Sequence, residues 1–165
     1  MQTGLRYGLL LGLVNIIFAA VQYLAGLERN TAMTVVGVLL LMGAIYLAHK
    51  YFLQHGDGYM SFGQGVKIGV ILSMISGAIS AVFNYFYLQF VDDSVLTKAL
   101  EEQQIKFEEQ GMSDEQIDQA MGMAETFTTP AFTIVWILLF SLIFGLIISL
   151  IVSAITKKVH PDQVV

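Results

Sequence analysis

The chain has 165 residues, of which 56% are hydrophobic and 13% are charged, and its formal net charge is −5. About a quarter of the residues of an average soluble domain are charged, so this composition argues against an ordinary soluble domain and indicates a membrane protein. The sequence contains no cysteine, which excludes disulfides and thiolate metal sites within it. We expect a single membrane domain over residues 1–165.

Four long apolar runs predict the fold class. They cover residues 9–27, 32–48, 66–90 and 131–155, and the charged residue within them is Lys67, near the start of the third run. A helix of about 20 apolar residues crosses roughly 30 Å of hydrocarbon, so each run is long enough to span a membrane, the second only just. The sequence therefore predicts an all-α integral membrane four-helix bundle with spans at residues 5–27, 32–49, 66–90 and 131–155.

The first run has an alternative interpretation as a cleaved secretory signal, because Arg6 precedes it. The apolar region of a signal peptide has about 7–15 residues and is followed by a small-x-small cleavage site. The run in this chain is longer, contains Asn15 and Gln22, and ends in a Leu-Glu-Arg-Asn segment. We therefore interpret it as a retained span.

The distribution of lysine and arginine predicts the orientation. With four spans, five basic residues fall on one side of the membrane: Arg6, Lys50, Lys67, Lys157 and Lys158. The opposite side has three, Arg29, Lys98 and Lys106. Because cytoplasmic loops carry an excess of Lys and Arg, we expect a multi-pass protein with both termini in the cytoplasm.

Residues 91–130, between spans three and four, form the one extended polar segment. It carries ten acidic residues against two lysines: Asp92, Asp93, Glu101, Glu102, Glu108, Glu109, Asp114, Glu115, Asp118 and Glu125. Its apolar residues recur at helical spacing, Gly111 suits a helix end, and Ser113 with Gln116 matches a capping box. We predict an amphipathic helical hairpin on the extracytoplasmic side. It is either a docking surface or lid, or a connector that rests on the membrane interface, and the connector is favoured.

Small and polar residues recur every three or four positions within the spans, so they share helix faces. Small residues let transmembrane helices approach closely, which predicts a set of helix-packing positions: Gly4, Gly8, Gly12, Gly65, Gly69 and Gly145. Polar residues in the same stripes form a candidate polar path: Asn15, Gln22, Ser73, Ser76, Ser80 and Asn84. Packing with hydrogen bonds between helices is favoured over a path for a substrate.

Few side chains suggest chemistry. The spans contain no pattern of charged residues that would indicate a proton relay or ion-coupled transport. His49 and His55 make a weak metal pair, and we expect them to be solvated residues at the interface. Lys67 is a candidate contact for an anionic lipid head group, because basic residues at the cytoplasmic boundary commonly bind such groups. We expect no catalytic residue, no cofactor and no metal.

Several segments carry a family resemblance. Tyr7-Gly8 leads into a glycine-spaced span, residues 58–69 read Gly-Tyr-Met-Ser-Phe-Gly-Gln-Gly-Val-Lys-Ile-Gly, residues 111–117 read Gly-Met-Ser-Asp-Glu-Gln-Ile, and Lys157-Lys158 follows the last span. In this order the segments resemble a bacterial domain-of-unknown-function family of small four-span membrane proteins. The resemblance implies a bacterial cytoplasmic (inner) membrane location, and it implies no activity, cofactor or catalytic residue.

Three classes of function remain. We favour a non-enzymatic protein that is an interaction or assembly partner of another membrane protein, or that assembles with its own copies. The alternative is a small transporter or translocator of a lipid-linked substrate, working as an oligomer. A membrane enzyme ranks third, because it needs convergent acid, base or metal ligands at membrane depth. The lipid bilayer is an expected partner, and nucleic acid is not.

Overall fold

The computed structural model of this chain describes residues 1–159. It contains six α-helices: α1 (Gln2–Ala25), α2 (Thr31–His55), α3 (Phe62–Phe90), α4 (Ser94–Glu109), α5 (Asp114–Phe127) and α6 (Pro130–Thr156). In this part of the chain, the β-structure is one isolated bridge between Met60 and Lys158. The predicted all-α class is confirmed. The predicted domain limit at residue 165 lies outside the described residues.

Within residues 1–159, four helices are long and apolar enough to cross a membrane: α1, α2, α3 and α6. This confirms the four predicted spans as helices. The structure extends α2 to His55 and starts α3 at Phe62, beyond the predicted limits of 49 and 66. α3 starts earlier because a capping box begins it: the Ser61 N–H donates to Gln64 Oε1 at 2.8 Å, and the Gln64 N–H donates to Ser61 Oγ at 3.2 Å.

The described chain divides into two compact units. The first contains residues 1–80 and the chain from residue 137 onward, and therefore α1, α2, most of α3 and most of α6. The second is Ala81–Trp136, which contains the end of α3, α4, α5 and the start of α6.

In the second unit, α4 and α5 contact each other. Gly111 separates them with φ 72, and the Met112 N–H donates to the Phe107 carbonyl at 3.2 Å, which ends α4 as expected for a left-handed cap residue. The Ser113 N–H donates to Gln116 Oε1 at 3.0 Å at the start of α5. Before α4, the Ser94 N–H donates to Asp92 Oδ1 at 2.9 Å and lowers the pKa of that carboxyl.

In the first unit, the start of α1, the end of α2, the start of α3 and the end of α6 lie together, and we call this the basic end. Arg6 Nη1 donates to the Tyr51 hydroxyl at 3.0 Å. Met60 and Lys158 exchange backbone hydrogen bonds of 2.9 Å in both directions. The five basic residues predicted for one side belong to these helix ends. The apolar core of the unit is Leu11, Ile45, Ala48, Met60, Ile68, Leu72, Ile148 and Val152.

Glycines of α1 lie against α3. A Cβ atom added at Gly8 would be 2.8 Å from Ile75 Cβ and 2.9 Å from the Leu72 carbonyl oxygen. At Gly4 the added atom would be 2.8 Å from the carbonyl oxygen of Ile68, and at Gly12 3.0 Å from Ile79 Cβ. These separations leave no room for a side chain, so the two helices approach at backbone distance along these three turns.

The contact between α3 and α6 has a regular pattern that we call the Gly–Ser ladder. Each step places a glycine of one helix against a serine of the other, and both helices advance four residues per step in opposite directions: Gly65 with Ser153, Gly69 with Ser149, Ser73 with Gly145, and Gly77 with Ser141. A Cβ added at Gly65 would be 2.6 Å from Ser153 Oγ. Of these positions, Gly77 was not among the predicted packing glycines, although it lies four residues after Ser73.

Two serine hydroxyls of the ladder need a partner. The Oγ atoms of Ser149 and Ser153 are buried and accept or donate no conventional hydrogen bond within the described residues. A Cβ added at Gly65 or Gly69 would meet the facing serine oxygen, so the hydrogen that occupies this position on the glycine Cα points toward that oxygen. A Cα–H···O contact, worth about 0.5–1 kcal/mol, is therefore the interaction available to each oxygen. The glycine therefore supplies both the space and the weak donor.

We expect Gly8→Leu to lower the stability of the protein, because its side chain would meet the Leu72 backbone and Ile75. Overpacking of this kind costs about 1–3 kcal/mol. The measurement is the thermal unfolding midpoint in detergent. Gly43→Leu is the matched control, since nothing lies within 4 Å of a Cβ added at Gly43. Equal midpoints for the two variants would contradict the packing of α1 on α3.

Candidate functional site

A central cavity of about 300 Å³ lies between α1, α2, α3 and α6 in the first unit. Its lining consists of Leu11, Asn15, Gly37, Leu41, Ser73, Ser76, Gly77, Ser80, Ile137, Phe140 and Ser141. One water occupies about 30 Å³ of liquid, so the cavity has room for several waters or for a small solute. All four membrane-spanning helices contribute to its wall.

The cavity brings together four of the six residues predicted for a polar path, namely Asn15, Ser73, Ser76 and Ser80. Ser141 of α6 joins them. Gln22, two turns after Asn15 on α1, is not part of the lining. Asn84 belongs to the second unit. The predicted set is thus divided: four of its residues line one cavity, and Gln22 and Asn84, the last of the set on α1 and on α3, do not.

The polar side chains of the cavity wall differ in whether they have hydrogen-bond partners. The Ser73 hydroxyl donates to the Gly69 carbonyl at 2.8 Å, and the Ser76 hydroxyl donates to the Ser73 carbonyl at 3.0 Å. Each hydroxyl oxygen keeps lone pairs that can accept a further hydrogen bond. The Asn15 amide forms no hydrogen bond with any of residues 1–159. An amide at membrane depth is costly without a partner, so Asn15 favours a hydrated or occupied cavity.

The wall carries no charged side chain. Serine hydroxyls, one carboxamide and apolar side chains make up the lining. Such a wall can exchange hydrogen bonds with an uncharged polar molecule but offers no counter-charge to an ion. The cavity is closed toward the basic end, where Leu72 and Ile45 are fully buried and the Gly–Ser ladder packs α3 on α6.

His49, at the basic end, is completely buried, which corrects the prediction of a solvated interfacial histidine. Its Nε2 is 2.9 Å from the Gly65 carbonyl oxygen on α3, and its Nδ1 is 2.8 Å from Thr156 Oγ1 on α6. Thr156 Oγ1 is also 2.8 Å from the Val152 carbonyl oxygen. The sequence signal for burial was its spacing: His49 lies four residues after Ile45, on the same face of α2.

His55 differs from His49. It is exposed, and its ring stacks on Tyr51 with 4.0 Å between ring centroids. The two histidines therefore do not form the weakly predicted metal pair. Within the described residues, no three His, Cys, Asp or Glu side chains lie close enough together to hold a metal ion.

Lys67 is exposed and borders a small groove of about 180 Å³ near the basic end. Phe52, Gln64, Ile68 and Ile71 also line this groove. An ammonium group beside an apolar groove is chemically suited to a lipid, with the head group at the charge and an acyl chain along the apolar wall.

A comparison with protein families matched residues 6–158 to a family described as a protein of unknown function, DUF4199. The chain belongs to this family. The match confirms the resemblance seen in the sequence, and the family description assigns no activity to it. Comparisons with curated proteins and with solved structures found no match.

We expect Thr156→Val to destabilise the protein by about 1–3 kcal/mol, because it leaves a buried nitrogen of His49 without its hydrogen-bond partner. Thr156→Ser keeps the hydroxyl and is the matched control, with stability near that of the unchanged chain. Unfolding by heat or denaturant in detergent measures the difference. If the valine and serine variants unfold alike, the hydroxyl does not support His49.

Proposed function

We propose that this chain is a non-enzymatic multi-pass membrane protein that binds a small uncharged polar group in its central cavity and carries it across the bilayer. The observation that supports this proposal is the position of Asn15 with Ser73, Ser76 and Ser80 around one cavity of about 300 Å³. The proposal requires no cofactor.

The class of substrate follows from the uncharged, hydrogen-bonding residues that line the cavity. An ion entering the cavity would lose hydration and gain no opposite charge, whereas hydroxyl and amide groups of a neutral molecule would find partners. The polar group belongs either to a free solute or to the head of a lipid-linked substrate. Phe140 lines the cavity and is 52% exposed, so it reaches from the cavity to the outer surface of the bundle. A lipid chain would lie on this side of the bundle.

We further propose that the basic end faces the cytoplasm of a bacterial inner membrane and that α4 and α5 form an extracytoplasmic hairpin. The arrangement of α1, α2, α3 and α6, with Arg6 beside Tyr51 and Lys158 paired to Met60, supports a single basic end. Because cytoplasmic loops are enriched in Lys and Arg, the basic end is the one that faces the cytoplasm. The cavity would lie in the half of the bundle away from the cytoplasm.

A reporter enzyme that works only outside the cytoplasm tests this orientation. Inserted in the turn after α4, at Gly111, it should be active, and fused after the last residue it should be inactive. The reverse pattern would overturn the orientation. Gly111 suits the insertion because it is exposed and lies between two helices.

Access to the cavity can be tested by cysteine labelling, since the chain has no cysteine of its own. We expect Ser76→Cys and Ser80→Cys to react with a membrane-impermeant thiol reagent. At neutral pH, Ser149→Cys, which lies in the ladder, should not react. Equal protection of all three cysteines would show that no aqueous route reaches the cavity, which would refute the proposal.

Transport itself can be measured in proteoliposomes. We expect glycerol or urea to permeate faster with the protein than without it, and Asn15→Leu to remove most of the increase. Ile17→Leu, on the same helix but 67% exposed, is the control and should leave permeation unchanged. Scrambling of a fluorescent glycolipid, without permeation of the free solutes, would instead identify a lipid-linked substrate. If the folded protein shows neither permeation of these solutes nor scrambling of the glycolipid, transport is refuted.

A second candidate function, as an interaction or assembly partner, is favoured by the surface of the second unit. Its acidic side chains are exposed, and so are the apolar side chains of Ile105 and Met123, at 53% and 66%. A basic or apolar surface of another membrane protein, or of a second copy, would fit there. Copurification in mild detergent, lost with Glu108→Lys and Glu109→Lys together, would support this function.

A further inference from the structure

Among the described residues of the four-helix unit, His49 is the ionisable side chain that is completely buried. Ionisable residues inside membrane segments are rare and usually functional, and this one is not part of the central cavity. It connects three helices, because its ring binds Gly65 on α3 and Thr156 on α6 from its own position on α2. These contacts lie at the basic end, where the bundle is closed.

Counting protons defines two hydrogen-bonded states of this site. The Gly65 carbonyl can only accept, so Nε2 carries a proton. In the neutral ring Nδ1 then accepts, and the Thr156 hydroxyl donates to it. When the ring gains a proton, Nδ1 becomes a donor, and the Thr156 hydroxyl turns to the Val152 carbonyl, which is already within 2.8 Å of Oγ1. The site therefore has a partner for every ring nitrogen in both protonation states.

The charges around the site disfavour the protonated, positively charged His49 ring while the site contains no water. Within residues 1–159 no carboxylate binds His49, and most charged groups on the surrounding helix ends are cationic. The ionisable groups near these helix ends are Arg6 and Tyr7 on α1, Tyr46, Lys50, Tyr51 and His55 on α2, Asp57 and Tyr59 in the following loop, Lys67 on α3, and Lys157 and Lys158 after α6. The carboxylate of Asp57 is exposed and accepts from the Tyr59 N–H at 3.0 Å. A buried, unpaired cation is costly, and entry of water would reduce that cost.

We propose that His49 is a proton-binding latch that holds the basic end closed when neutral and opens it when it takes up a proton. Opening admits water between α2, α3 and α6, beside the first step of the Gly–Ser ladder. Proton uptake at the basic end would thus control access to the closed side of the bundle. The latch goes beyond the transport proposal, and its test uses no solute.

The test is cysteine labelling at the ladder from the basic end. Ser153→Cys, buried against Gly65, reports opening, and Gln54→Cys, exposed on α2, reports the reactivity of a free thiol at each pH. The ratio of the two labelling rates removes the effect of pH on the reagent. The measurement compares about pH 8 with about pH 5, the interval in which a histidine changes charge. Ser149→Cys replaces Ser153→Cys if that variant does not fold.

We expect the ratio to rise by about tenfold or more at the lower pH. Adding His49→Gln, which keeps a hydrogen-bonding side chain that does not titrate, should make the ratio independent of pH. A ratio that is independent of pH with His49 present would overturn the latch. So would an equal rise in the His49→Gln background, because another group would then be responsible. Labelling at Ser76 tests the cavity separately, so a failure of one proposal is distinguishable from a failure of the other.

Discussion

The close approach of helix backbones is the constraint on which the first unit depends. Between α3 and α6, one residue of each facing pair lacks a side chain, and the other has a single hydroxyl. In a bilayer the lipid chains are as apolar as leucine, so burial of apolar side chains gives little net attraction between helices. Contact over many backbone atoms, with weak Cα–H···O bonds, supplies the attraction instead. A methyl group at any of these glycines would separate the helices locally.

The same constraint separates a closed half of the bundle from an open half. Toward the basic end, Gly65 and Gly69 face Ser153 and Ser149, and apolar residues such as Leu72 fill the remaining space. Farther along α3, the small residues Ser76 and Ser80 border the cavity instead of filling it. Where two helices pack face to face, small side chains allow their backbones to come into contact. Where four helices surround a common space and no large side chain enters it, small side chains leave a cavity.

Polar groups in the two halves have different surroundings, and this difference underlies both proposals. His49 has a protein partner for each ring nitrogen, which fits a device that holds helices together. Asn15 has no such partner within residues 1–159 and borders the space in which a solute or water would bind it. Hydrogen-bond capacity is therefore used for closure at the basic end and is left available at the cavity.

The sequence alone determined the properties that depend on local composition and spacing. Apolar runs gave four membrane-spanning helices, Gly111 and Ser113 gave the turn between α4 and α5, and four-residue spacing placed Gly8 and Gly12 on one face. Spacing identifies a face but not what the face meets. Only the tertiary structure decided that Gly77 completes the ladder, that Asn15 borders a cavity while Gln22 does not, and that His49 is buried. Each of these depends on residues from helices far apart in the chain, and no local pattern records how such helices are aligned.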